Sequence, residues 1–327
     1  YDDQEVIGNP IDLLHSKKHK PDFYKEIWQT VDTTGHWQGE VWERRKGRRN
    51  FPALQSINTI INEHGDKHYV SIIKDISDLR EKENKLWKLA HFDQLTKLAN
   101  RKLLEERINK AISDTHRDKH VGALIFLDLD NFKIINDSLG HTHGDLVLKA
   151  IAQRLKTVFR SADTVARLGG DEYIILLPDL ADNPANATGR TTAIIKKMFD
   201  TLHRPCKING HETYITSSLG VVLFPADGDT PDQLLKHADT AMYTAKDEGK
   251  NTFCFYHSDM QVLADKRLKL ENELRKALKL NQFKVYYQPQ FNQDKKSSAM
   301  KLWSDGYTQN EDSLLPMTLS PLLKKAT

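Results

Sequence analysis

The run Val121-Gly122-Ala123-Leu124-Ile125-Phe126-Leu127 constrains this chain more than any other feature. Apolar residues without alternation, closed by Asp128, describe a strand covered on both faces, which requires a sheet with layers above and below it. Downstream, Ala166-Arg167-Leu168, a Gly169-Gly170 turn and Tyr173-Ile174-Ile175-Leu176-Leu177-Pro178 have the pattern of a β-hairpin with the loop residues at its tip. Helical spacing over about 144–159, 191–202 and 231–247, with a strand around 213–222, completes an α/β sandwich over residues 92–256.

Length and charge bound the rest. At 327 residues the chain is about two domains long. Its 48 basic and 45 acidic residues give a net charge of +3, too balanced to argue for a nucleic-acid or membrane-surface binder. Cys206 and Cys254 lie far apart without metal-ligand spacing, so free thiols in a reducing compartment are expected. No apolar run approaches the ~20 residues of a membrane helix, and the opening Tyr1-Asp2-Asp3-Gln4-Glu5 is no signal peptide. A cytoplasmic location is expected, either alone or as the cytoplasmic part of an anchored protein, since the sequence begins without methionine and reads as a piece of a longer one.

Residues 1–79 mix aromatics with strand-like runs, notably Trp37–Trp42 and His68–Ile73, the second after a Gly65-Asp66 turn signal. A small antiparallel sheet is expected. Val6-Ile7-Gly8, Phe23-Tyr24, Thr34-Gly35-His36-Trp37 and Asp75-Ile76-Ser77 resemble the C-terminal two-thirds of a PAS sensor domain. No cysteine or histidine pattern marks a chromophore or haem, and His15 and His19 read as members of a solvated Lys-rich loop. Over 80–91, Leu86 and Leu89 continue a spacing begun at Leu79, as in an amphipathic linker helix or a coiled-coil dimer stalk.

The chemistry gathers at strand ends, where a rigid scaffold holds side chains in the open. Asp128 and Asp130 close one strand, and Asp171 and Glu172 cap the hairpin, so four carboxylates are expected to converge. Such a cluster is unfavourable without a cation, and oxygen ligands suit Mg²⁺ or Mn²⁺ carrying phosphates.

The segments Asp93–Arg101, Asp128–Asp137, Gly140–Asp145, Arg167–Tyr173 and Tyr243–Asn251 stand in order, and together they resemble the GGDEF family of diguanylate cyclases over about half the chain. The resemblance implies a nucleotidyl-cyclase-like fold with a mainly antiparallel central sheet flanked by helices. It implies GTP as substrate and cyclic di-GMP as product. It makes Asp128, the Leu129 carbonyl and Asp171 metal ligands, with Glu172 either a ligand to a second metal or an aid to deprotonation. Asn136 and Asp145 would read guanine, and relatives that accept ATP typically carry serine where Asp145 stands. Lys133, after Phe132, together with Lys246 and Lys250, would place cations on the triphosphate. The family usually has arginine in place of Lys250, so bidentate phosphate geometry is lost there. Gly169 and Gly170 would let the backbone approach phosphate. Tyr173 stands where the family usually has phenylalanine. Arg160 and Asp163 match the family's inhibitory product-binding motif, although an Arg-x-x-Asp pair by itself is an ordinary surface contact.

Residues 257–296, through Gln282–Gln290, resemble the opening of an EAL phosphodiesterase domain, and from Ser297 the pattern fails. Too little chain follows for a barrel of ~250 residues. Back-translating Lys301–Asn310 and shifting each codon by one base reads E-A-L-V-R-W-I-H-P, so 297–327 is expected to be an out-of-frame tail. The reading is then an active, homodimeric cyclase behind a partial PAS module, with an EAL remnant. The alternative is a non-catalytic receptor for GTP or cyclic di-GMP. Erosion of the carboxylates would mark such a receptor, yet Asp128, Asp171 and Glu172 are all present.

Overall fold

The structure, a computed structural model, describes residues 1–306 apart from 48, 209, 281–282 and 292–296, with only the backbone course given beyond 282. It divides between Phe92 and Asp93 into two units.

The first unit opens with α1 (Asp3–Val6), a 3₁₀ turn (Ile11–Leu14) and α2 (Pro21–Thr34). Proline suits the first position of α2, where its missing N–H leaves no bond unmade, and Gly35 ends the helix at φ +78 while donating to the Val31 carbonyl. Strands β1 (His36–Arg44), β2 (Asn50–Ile61) and β3 (Lys67–Asp75) then pair antiparallel in that order. Both strand-like runs of the sequence lie in β1 and β3, and β2 is an addition to them. Ile27 and Val31 of α2 pack on Val41, Ala53 and Ile57 of the sheet. His15 and His19 are packed rather than solvated. Their rings stack on Tyr24 at 3.6 Å and Phe23 at 4.0 Å, and His19 Nε2 accepts the Trp42 N–H at 2.8 Å. The aromatic faces of α2 give these rings an apolar platform that the lysines around them conceal in the sequence. Helix α3 (Ser77–His91) follows, with Leu79, Leu86 and Leu89 exposed.

The second unit runs α4 (Arg101–Asp118), β4 (Val121–Leu129), α5 (Phe132–Leu139), α6 (His141–Val158), β5 (Thr164–Gly169), β6 (Glu172–Ala181) and α7 (Pro184–Leu202). It continues through the short pair β7 (Cys206–Ile208) and β8 (His211–Thr213), then β9 (Ser217–Phe224), α8 (Pro231–Asp247), β10 (Phe253–Phe255) and α9 (Ser258–Lys279). The main sheet has the order β10-β9-β4-β6-β5 and is antiparallel except between β9 and β10. Strand β4 is central and buried along its whole length, as its unbroken apolar run requires.

Two boundaries differ from expectation. Helix α7 begins at Pro184 because Asn183 caps it, its Oδ1 accepting the Asn186 N–H at 2.9 Å. The strand expected from 213 begins at Ser217, since Thr213 belongs to β8. Gly220 of β9 matters to the site, because a Cβ there would stand 1.9 Å from the Ala238 carbonyl oxygen and 2.2 Å from the Met242 nitrogen. Its absence lets α8 lie directly on the strand. Both cysteines are free. Beyond α9, β11 (Phe283–Phe291) and β12 (Ser297–Gly306) pair antiparallel, and the expected out-of-frame segment past Gly306 lies outside the described residues.

Candidate active site

Strand register assembles the site. Asp128 at the end of β4 stands opposite Glu172 of β6 on one side and Ser218 of β9 on the other. Between β5 and β6 the chain reverses through Gly170 and Asp171, with Gly170 at φ +49, a conformation that disfavours any side chain. Two contacts fix this tip. The Leu129 N–H donates to the Asp171 carbonyl at 3.3 Å. The Arg167 guanidinium donates to the Gly170 carbonyl at 2.6 and 3.0 Å while its other arm reaches Asp93 at 3.1 Å. Asp93 is itself held by Thr96, whose N–H donates to it at 2.7 Å. Arg167 thus braces the hairpin, a role the sequence motif contains without revealing.

The charges at this corner are strained against one another. Burial raises the Asp128 carboxyl, the Asp171 and Asp130 charges raise it further, and the Lys246 ammonium, 2.8 Å from Asp128 Oδ1, opposes them. Burial also raises Glu172, followed by the charges of Asp128, Asp239 and Asp171. Asp239 was not found by sequence reasoning. It lies two helical turns before Lys246 on α8, and that spacing was the available signal.

Asp130 reaches the expected four-carboxylate cluster by its charge but not as a free ligand. It is 6 % exposed and accepts hydrogen bonds from Thr216 Oγ1 and Ser218 Oγ, each at 2.7 Å, and from the Asn251 N–H at 3.1 Å. Its oxygens are therefore committed to Thr216, to Ser218 of β9 and to the loop after α8. Among the described residues no three His, Cys, Asp or Glu side chains form a ready metal cage. What remains is a three-carboxylate oxygen set, Asp128, Asp171 and Glu172, beside the strand-end Leu129 carbonyl. Its mutual repulsion and hard oxygen donors fit a divalent cation of the magnesium type.

Around this corner lie the other expected residues. Asn136 of α5 and Asp145 of α6 flank the Gly140 turn. A Cβ on Gly144 would stand 2.0 Å from Asn136 Oδ1, so this glycine lets the amide lie against α6 beside the exposed Asp145. Lys133 is exposed in the first turn of α5, whereas Phe132 is buried in the core at 5 % exposure. Lys246 is on Asp128, and Lys250 donates to Asn131 Oδ1 at 2.7 Å. Tyr173 is fully buried, and its hydroxyl donates to the Leu148 carbonyl at 3.0 Å. Arg160 and Asp163 form a turn away from the hairpin tip, the Arg160 N–H donating to Asp163 Oδ2 at 2.9 Å with the guanidinium left exposed.

Residues 90–252 match the family described as diguanylate cyclase, GGDEF domain, and residues 1–78 match a PAS domain. A bifunctional diguanylate cyclase/cyclic di-GMP phosphodiesterase of Pseudomonas aeruginosa, MucR, is 42 % identical over 213 residues, 65 % of this chain and 30 % of that protein. From the same organism, the cyclic di-GMP phosphodiesterase NbdA is 32 % identical over 288 residues, 86 % of this chain and 33 % of its own length. The chain thus spans about a third of the curated relatives it matches. The structure of a truncated TpbB from Pseudomonas aeruginosa comprising only the GGDEF domain is 35 % identical, covering 54 % of this chain and 99 % of that one with a TM-score of 0.51. With the fold, the ordered motifs and these matches in agreement, the chain belongs to the GGDEF family.

Proposed function

We propose that the second unit is a diguanylate cyclase that condenses two GTP molecules into cyclic di-GMP and two pyrophosphates. The observation that carries this reading is the corner where Asp128, Asp171 and Glu172 meet beside Lys246, with every carboxylate retained. A cyclase of this type needs a GTP on each of two domains, so catalysis takes place in a homodimer, at least transiently. Asn136 and Asp145 orient the base through an amide and a carboxylate that complement guanine's edge. Lys133, Lys246 and Lys250 place charge on the triphosphate, and the open turn at Gly169 and Gly170 leaves room for phosphate against the backbone. Asp128, Asp171 and the Leu129 carbonyl would hold Mg²⁺, which would supply a lowered pKa for the attacking 3′-hydroxyl and an offset to charge at the α-phosphate. Glu172, its carboxyl raised by burial and neighbouring acids, faces the same space and can take the hydroxyl proton. Cyclic di-GMP returns to Arg160 and Asp163 as an inhibitor, the exposed guanidinium supplying a fork for guanine.

The test is to incubate the purified protein with GTP and Mg²⁺ and separate the nucleotides. Cyclic di-GMP is expected, and Asp171→Ala should lower its formation by at least ~100-fold. Arg160→Ala should leave the initial rate intact and relieve the slowing caused by added cyclic di-GMP. Unchanged inhibition in that variant would remove the inhibitory assignment alone. Wild-type protein that binds GTP and forms no product under any condition would favour the receptor reading instead.

A further inference from the structure

Lys246 is paired with Asp128, one of the carboxylates proposed to hold the divalent cation. Its Nζ stands 2.8 Å from Asp128 Oδ1, with the two side chains only 29 % and 11 % exposed. The same ammonium offsets the charges of Glu172 and Asp239, so three acids face one monovalent cation. Lysine carries that charge on a flexible four-carbon stem and can change partners without moving its helix. The helix is fixed, because Gly220 seats α8 on β9. Lys250 differs, its Nζ lying on the neutral Asn131 amide at 2.7 Å. The sequence assigned both lysines to phosphate, yet the structure gives them different partners.

We infer that Lys246 is an exchangeable counter-ion, neutralising Asp128 in the empty site and moving to a phosphate oxygen as metal and nucleotide bind. This rests on the metal-bearing reading of the corner. If the metal enters first, the ammonium must be driven off Asp128. If the nucleotide enters first, its phosphates draw the ammonium away and leave Asp128 uncompensated in a half-closed acidic corner. Each ligand therefore removes a cost the other would meet, and the coupling is positive and reciprocal.

The test reads binding, not turnover, on the full chain. Mn²⁺ stands in for Mg²⁺, its free concentration followed by electron paramagnetic resonance without nucleotide. Lys246→Gln should bind Mn²⁺ about tenfold more tightly than wild type. It should also bind guanosine 5′-[α,β-methylene]triphosphate more weakly in the presence of chelator. Lys246→Met should reproduce both results, with circular dichroism establishing that each variant is folded. Lys250→Gln removes the same charge from a position off the carboxylates and should leave Mn²⁺ affinity within about twofold of wild type. Adding Asp128→Asn to Lys246→Gln should abolish the gain. Lys246→Gln and Lys246→Met binding Mn²⁺ no more tightly than wild type, or Lys250→Gln tightening it equally, overturns the exchange. A gain that survives Asp128→Asn, or no Mn²⁺ bound by any variant, overturns the metal site and the exchange with it.

Discussion

Adjacent carboxylates in this protein have opposite duties, and the difference is visible only residue by residue. Asp130 is buried with three donors on its two oxygens, so Asp130→Ala should cost about 3 kcal/mol in urea unfolding by leaving those partners unmet. Glu172 is raised by burial and by three neighbouring acids. Its Gln variant should gain stability in metal-free buffer while losing activity, because the charge it carries is held against its surroundings for function. Equal destabilisation of both variants would show that the corner is structural. Tyr173 illustrates a substitution made safe by context. Its hydroxyl finds the Leu148 carbonyl, so Tyr173→Phe should cost only about 1 kcal/mol.

At the scale of elements, one glycine and one arginine decide whether the corner keeps its shape. Gly220→Ala would drive a methyl group into the α8 backbone, which cannot give way as a side-chain tip can. A loss of about 3 kcal/mol is expected, with α8 and Lys246 displaced together. Arg167→Ala should leave the sheet folded but free the hairpin tip, lowering the rate about tenfold with little change in melting temperature. Much of this level was legible in the sequence. The unbroken apolar run announced β4, the Gly169-Gly170 turn announced the β5–β6 hairpin, and proline with Asp247 bounded α8. What escaped was set by tertiary context: the β7–β8 pair is only three residues a side, and β2 mixes polar and apolar residues across a half-exposed sheet. The direction in which Asp130 points depends on how β9 packs, which no local pattern encodes, and the spacing of Asp239 from Lys246 puts it on one face of α8 without showing that this face meets Glu172.

Across the whole molecule, the first unit carries a pH dependence independent of the catalytic corner. Glu43 is 1 % exposed, its Oε2 has no hydrogen-bond partner, and burial pushes its carboxyl up to about 7 from 4.5. Between those values the folded unit retains a proton that the unfolded chain has released. The unit is therefore most stable below about pH 4.5 with respect to this group, weakens as pH rises to about 7, and stays weakened above, by about 3 kcal/mol. Glu43→Gln should flatten that slope and raise stability at pH 8. Trp28, Trp37, Trp42 and Trp87 all lie in this unit, leaving only Trp303 elsewhere, so tryptophan fluorescence during urea unfolding reads it directly. A slope unchanged by the substitution would clear Glu43 of the effect. The central claim concerns the second unit, and its most direct measurement is the stoichiometry of turnover. The account predicts that purified protein with GTP and Mg²⁺ releases two pyrophosphates for each cyclic di-GMP formed, and that Asp171→Ala releases neither. GTP bound at the corner with no pyrophosphate or cyclic di-GMP from the intact chain would contradict it.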